Sequence, residues 1–205
     1  MYMYLEVIRM GGGLLTVGGS ICADLQLRKS PILVSDVAAG AVCLLTLLRQ
    51  LFNRGPNKPS NVNTLGGGLF MFVASVLFYH FLGILFGAPL FEHVTSTFHL
   101  ALLMSVTTII PCLFSMGTDL EIWMRVLVCY QAEHGSEISA MYTMIFSLIG
   151  TWFGAFAPIL DWGQHWQVWP ISCIVGNILG HVAGLLVANA HMLQQDWKAG
   201  KVKTG

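Results

Sequence analysis

Apolar residues in this chain gather into long runs separated by short polar turns. A helix needs about 20 mostly apolar residues to cross the hydrocarbon core of a bilayer. Leu65–Phe86, Ile138–Leu160 and Val168–Leu193 each meet that length. Thr95–Met116 is uncharged and slightly polar, with Pro111 near its end. A proline is tolerated there because neighbouring helices and Ser/Thr side chains re-satisfy the freed backbone groups. Two earlier candidates are weaker. Met10–Ala23 is 14 glycine-rich residues between Arg9 and Asp24, and Pro31–Leu48 contains Asp36, so each either spans or dips in as a shallow, re-entrant segment. The pattern predicts an all-α, polytopic integral membrane protein with about six transmembrane helices, at roughly 5–26, 31–52, 65–86, 95–116, 138–160 and 168–193. Residues 1–205 form one multispanning domain in this reading, with no separate soluble domain and no tandem repeat.

The connectors add detail. Asn53–Asn63 is turn-rich and basic. Gly117–Glu137 sets Leu120, Ile122, Trp123, Val126 and Leu127 among Asp119, Glu121 and Arg125. That mixture fits a short helix lying in the membrane interface, or an extension of the preceding span. The N-terminus has no basic start, carries Glu6 and Arg9 and shows no small-residue cleavage site, so it reads as a retained first span.

Composition supports the membrane class, with 55% hydrophobic and only 10% charged residues. Ordinary soluble domains carry about 25% charged residues. Ten basic and ten acidic residues cancel, which points away from nucleic acid. Cys22, Cys43, Cys112, Cys129 and Cys173 are odd in number and lack CxxC spacing; they read as small buried hydrophobes, not as a disulfide or zinc framework. With six spans, eight of the ten basic residues fall on one side: Arg9, Arg49, Arg54, Lys58, Arg125, Lys198, Lys201 and Lys203. The opposite side holds Arg28 and Lys29. The positive-inside rule therefore places both termini in the cytosol. Lys201 and Lys203 in the final Lys-Val-Lys-Thr-Gly resemble a C-terminal dilysine retrieval signal, or serve as an ordinary positive flank.

Helix-contact chemistry is concentrated near the C-terminus. Ser172, Gly176, Gly180, Gly184 and Ala188 recur every four residues and give the last span one small face; Gly150 and Gly154 give the fifth a shorter one. Small faces let helices approach closely in lipid. They serve either packing within the chain or docking onto another protein. Beside that face Cys173, Asn177 and His181 form a polar stripe, read as interhelical hydrogen-bonding groups. His80, His93 and His99 lie near Glu92, but no HExxH, HxxxH pair or carboxylate cluster accompanies them. No nucleophile setting, cofactor fingerprint or metal framework is visible, so no catalytic, cofactor-binding or metal residue is assigned.

The lumenal turn between the last two spans is the most distinctive string: Asp161-Trp162-Gly163-Gln164-His165-Trp166-Gln167-Val168-Trp169-Pro170-Ile171-Ser172-Cys173. Its three tryptophans suit a membrane–water boundary. A continuous helix over the 28 positions from Trp169 to Trp197 would put both rings in interfacial belts. Its length would be roughly 42 Å.

This string resembles the C-terminal hallmark of the class F family of phosphatidylinositol-glycan (GPI) anchor biosynthesis. Phe86-Gly87-Ala88-Pro89-Leu90, Thr107 to Leu113, Trp123-Met124-Arg125-Val126 and the stretch Gly150 to Leu185 match in the family's order. Gly163, Gln164 and His165 are neutral where several relatives carry charge, so no fixed-charge role transfers to that spot. The resemblance implies an endoplasmic-reticulum membrane protein that is not itself an enzyme. It would bind and stabilise multispanning transferases that add ethanolamine phosphate to the second and third mannoses of the GPI core. In that family the partner's lumenal metal-dependent domain performs the transfer from phosphatidylethanolamine, and membrane lipids surround both proteins. Two other classes stay open on the residues alone: a lipid phosphotransferase using Glu92, His93 and Asp161, and a small transporter with Asp36, Asn177 and His181 along its path.

Overall fold

A computed structural model describes residues 31–52, 62–88, 94–156 and 169–204. Every regular element among them is helical: α1 (Pro31–Phe52), α2 (Val62–Leu85), α3 (Val94–Met116), the single turn α4 (Leu120–Trp123), α5 (Gly135–Phe156) and α6 (Ile171–Thr204). Four stretches are long and apolar enough to cross a membrane: Gly66–Leu85, Val94–Met116, Gly135–Phe156 and Ile171–Gln195. The segment proposed as the first span, 5–26, lies outside the described residues. α1 occupies the range of the second, with Ser35–Leu45 as its apolar stretch.

Two turns show how the spans end. After α2 the backbone swings to φ +99° at Gly87, and the Ala88 N–H donates to the Gly83 carbonyl at 3.0 Å. After α3 it swings to φ +70° at Gly117, whose N–H donates to the Leu113 carbonyl at 2.9 Å. Both are left-handed conformations that a Cβ disfavours, and they close the last carbonyls of their helices. α3 itself runs through Pro111 without ending.

The stretch after Gly117 is not an extension of α3. Asp119 starts a new turn by accepting from the Glu121 N–H at 3.0 Å, and α4 widens at once into a π turn over Met124–Val128. Cys129 N–H closes that turn on the Met124 carbonyl. The Trp123 indole N–H donates to the Gly117 carbonyl at 2.9 Å, folding the segment back under α3. Arg125 then ties it to α5, donating to the Gln131 carbonyl and to both carboxylate oxygens of Glu137.

α3 is the hub of the bundle, with α1, α2 and α5 packed around it, while α5 and α6 form the most intimate pair. One core cluster draws Ala39 and Val42 from α1, Val76 and Tyr79 from α2, Leu100, Leu103 and Val106 from α3, and Cys173, Ile174 and Ile178 from α6. A second joins Cys112 and Met116 to Val126, Ala140 and Met141 beneath the π turn. α2 packs mainly against α3 and leaves Leu69, Phe70, Leu77, Phe78, Phe81 and Leu85 exposed. Water would not tolerate that face, whereas lipid tails solvate it at no cost.

Two sequence expectations are corrected. The last helix begins at Ile171, not Val168, because the Trp169–Pro170 pair forms a turn before it; the helix then continues past Leu193 to Thr204. Trp169 and Trp197 are therefore not the two ends of one helix. The fifth helix begins at Gly135, three residues before the expected 138, and is described as far as Phe156; 157–160 lie outside the described residues. Its carboxylate Glu137 serves in its first turn, where helix N–H groups favour negative charge.

Candidate functional site

The glycine faces of α5 and α6 meet each other. A Cβ placed on Gly154 would run into the Ser172 carbonyl, and one on Gly150 into the Gly176 carbonyl. Further along, a Cβ on Gly180 would strike the Phe146 carbonyl and one on Gly184 the Tyr142 carbonyl at 2.7 Å. Each step moves four residues up one helix and four down the other, the register of an antiparallel pair. Ala188 extends the seam by packing with Ile138 and Met192. Of the two uses left open by the sequence, this geometry places the chain's own α5 on the small face. Backbones this close gain van der Waals contact along the whole seam.

The polar stripe runs down one flank of the seam. Asn177 Nδ2 donates to Thr151 Oγ1 at 2.9 Å, and His181 Nδ1 lies 3.2 Å from Ser147 Oγ. Thr151 and Ser147 are themselves four apart on α5, so Asn177 and His181 each find a partner one turn along. The Thr151 hydroxyl donates a hydrogen bond to the Ser147 carbonyl at 2.8 Å, which completes a ladder inside α5. Cys173 is buried in the main core cluster beside Ile174. Nearer the other end, Tyr142 Oη lies 3.1 Å from His191 Nδ1. Thr151 and Ser147 were missed from sequence, although the same four-residue spacing beside Gly150 and Gly154 carried the signal.

Trp169 leaves the tryptophan turn for the bundle. Its indole N–H donates to Thr97 Oγ1 on α3 at 3.1 Å, and Pro170 beside it is fully buried. This joins the mouth of α6 to that of α3 across 72 residues of chain. Asp161, Trp162 and Trp166 lie outside the described residues, as do Glu92 and His93. Lys201 and Lys203 fall in the last turn of α6. His80 and His99 both approach Phe98 edge-on, but they do not converge on a common ligand position; His99 Nδ1 instead meets Asp36 Oδ1 of α1 at 2.6 Å. Among the described residues no three His, Cys, Asp or Glu side chains gather as a metal site.

A helical bundle of this kind has many possible uses, and the comparison with known sequences decides among families. The profile described as "GPI biosynthesis protein family Pig-F" matches residues 21–189, taking in every helix from α1 into α6. The chain belongs to the Pig-F family. Its relatives include the mouse (Mus musculus) "GPI ethanolamine phosphate transferase, stabilizing subunit", 43% identical over 117 residues, or 57% of this chain and 53% of that protein. The human (Homo sapiens) protein of the same description is 41% identical over the same coverage. A "PIGF/3-ketodihydrosphingosine reductase fusion protein" of Schizosaccharomyces pombe is 32% identical over 139 residues, covering 67% of this chain and 28% of the fusion. The chain thus spans about half the length of the mouse and human relatives it matches. No solved structure matches it. Among the described residues, α5 and α6 form the most closely packed helix pair.

Proposed function

We propose that this chain is a non-catalytic accessory subunit that binds and stabilises a GPI ethanolamine-phosphate transferase during GPI-anchor biosynthesis in the endoplasmic-reticulum membrane. The observation that carries this reading is the family match over residues 21–189, joined to mouse and human relatives described as stabilizing subunits. The fold is consistent with it. A bundle in which Asn177 and His181 tie α6 to α5, with broad apolar faces left outside, suits a scaffold among other membrane helices. In the full reading it has six spans and cytosolic termini, supports the transferases acting on the second and third mannoses, and returns to the endoplasmic reticulum through Lys201 and Lys203.

Co-expression with a catalytic subunit tests the central claim. Removing this chain is expected to lower the abundance of the transferase, and the purified chain alone is expected to transfer no ethanolamine phosphate. Turnover by the isolated chain, abolished by a point substitution within it, would reject the accessory role. Topology has its own check, motivated by the eight-to-two division of basic residues. An N-glycosylation acceptor inserted beside Gly163 is expected to be modified, and one appended after Gly205 is not; a modified tail would overturn the cytosolic assignment.

A further inference from the structure

The break between α3 and α5 carries more apolar surface than a connector in water would. Leu120, Met124 and Val128 recur every four residues along α4 and the π turn and are 72%, 57% and 59% exposed, and Tyr130 follows at 68%. The opposite side is spent on the bundle: Val126 is fully buried, and Trp123 and Leu127 pack on the same core cluster. The segment thus has two apolar sides, and one of them is left without protein among the described residues.

Contacts between helix ends say where that stripe lies. A Cβ on Gly67, beside the start of the α2 span at Gly66, would meet Thr118 Cγ2 at 3.3 Å. One on Gly135, where α5 starts, would meet the sulfur of Met192 at 2.9 Å, close to the end of the α6 span at Gln195. α3 itself ends at Met116. One end of each of the four apolar spans therefore lies at one level, and the connector leaves from it. It then turns back into the bundle. Val126 shares its cluster with Cys112, four residues before the end of α3, and with Met141, six residues into α5. At 1.5 Å per residue these lie roughly 6 and 9 Å inside the span ends. That is the depth of an interfacial helix, about 5–10 Å into the boundary between headgroups and acyl chains.

The cation at that depth is already answered within the chain. Arg125 meets Glu133 Oε1 at 2.8 Å and both carboxylate oxygens of Glu137 at 3.2 Å, and it donates to the Gln131 carbonyl at 3.0 Å. A charge that is paired and hydrogen-bonded is tolerated near hydrocarbon. Asp119, Glu121, Glu133 and Glu137 outnumber Arg125 in this stretch, so attraction to anionic headgroups does not seat it.

We propose that Leu120, Met124, Val128 and Tyr130 form a lipid-contacting stripe that wedges the π turn into the headgroup–acyl boundary. The occupant is bilayer lipid, held through apolar area and not through charge. The inference rests on the membrane-spanning part of the accessory-subunit reading and adds how the bundle is seated in the bilayer. The wedge holds the end of α3 and the start of α5 at one depth.

The test reconstitutes the full chain in phosphatidylcholine nanodiscs with the fluorescent residue dansylalanine at position 124 and, in a second variant, at position 128. Phosphatidylcholine brominated near the headgroup end of its acyl chains is expected to quench both probes roughly twofold. Aqueous iodide should leave them unchanged, and added phosphatidylserine should not deepen the bromine quenching. A probe at Phe70, exposed on α2 four residues from the start of its span, reports whether the spans themselves meet lipid at that level. Bromine quenching at 70 with iodide quenching at 124 and 128 overturns the wedge alone. Protection of 124 and 128 from both quenchers means that protein covers the stripe, and it overturns the assignment to lipid. If bromine quenches none of the three positions, the membrane-spanning reading fails first and the wedge fails with it.

Discussion

Gly180→Leu is expected to open the α5–α6 seam and to destabilise the chain by about 3 kcal/mol, the upper range for forcing extra carbon into a packed core. The first added carbon would collide with the Phe146 carbonyl and come within 3.2 Å of the Gly150 Cα. Both are backbone atoms of a helix, so neither can turn aside as a side-chain end would. α5 must move off, and contacts from Gly154 to Ala188 thin out together. No hydrophobic gain compensates, because lipid tails solvate the new leucine equally well wherever it points. Heating the detergent-solubilised chain and measuring the surviving monodisperse fraction should show a lower midpoint, and the transferase should be lost in parallel. Val187→Leu, on a more open side of α6, should stay within about 0.5 kcal/mol of the original chain. Equal midpoints for the two variants would show that the seam tolerates a side chain and would refute the close packing described above.

Arg125→Ala is the second large effect. Glu137 has a side chain only 7% exposed, and its carboxylate meets Arg125 Nη2 at 3.2 Å through both oxygens while accepting from the Glu133 N–H at 2.9 Å. His134 Nδ1 lies 3.3 Å away as a further partner. Removing the guanidinium leaves a buried acid with one charged neighbour fewer and frees the Gln131 carbonyl as well. Breaking a buried pair from one side costs about 3–5 kcal/mol. Exposure of Arg125 at 25% and the remaining donors to Glu137 bring the expectation to roughly 2 kcal/mol. Arg125→Lys should restore less than half of that, because one ammonium cannot reach both Glu137 and the Gln131 carbonyl in the fork geometry of a guanidinium. The same thermal measurement reads this series, and an Arg125→Ala midpoint equal to that of the unmodified chain would remove the network from the account of stability.

Much of this protein was legible before any coordinates. Runs of about 20 apolar residues marked α2, α3, α5 and α6 because hydrocarbon thickness fixes the length of a span. Spacing by four marked Ser172, Gly176, Gly180, Gly184 and Ala188 as one face, since residues four apart stack on a helix. What spacing does not carry is the identity of the neighbour. In water an apolar stripe points to the core, but in lipid every face is apolar and the pattern loses its direction. Thr151 and Ser147 opposite the polar stripe, Thr97 under the Trp169 indole, and Asp36 beside His99 are pairings across 26, 34, 72 and 63 positions that no local rule specifies.

The break after α3 shows the same division at shorter range. Apolar and charged residues in Gly117–Glu137 promised a helix of some kind, and its form depended on Gly117 turning left-handed, Asp119 restarting the chain and Arg125 finding Glu137. By itself, then, the sequence determined the all-helical class, the lengths of four helices apolar enough to cross a membrane, the small face of α6 and, through its distinctive strings, the family. Tertiary structure alone decided that α5 fills that face, that the Trp169 indole bonds to Thr97 of α3, and that His99 pairs with Asp36 of α1. The physical reason is that length and period are properties of one helix against its solvent, whereas close approach and hydrogen-bond partnership are properties of two helices at once.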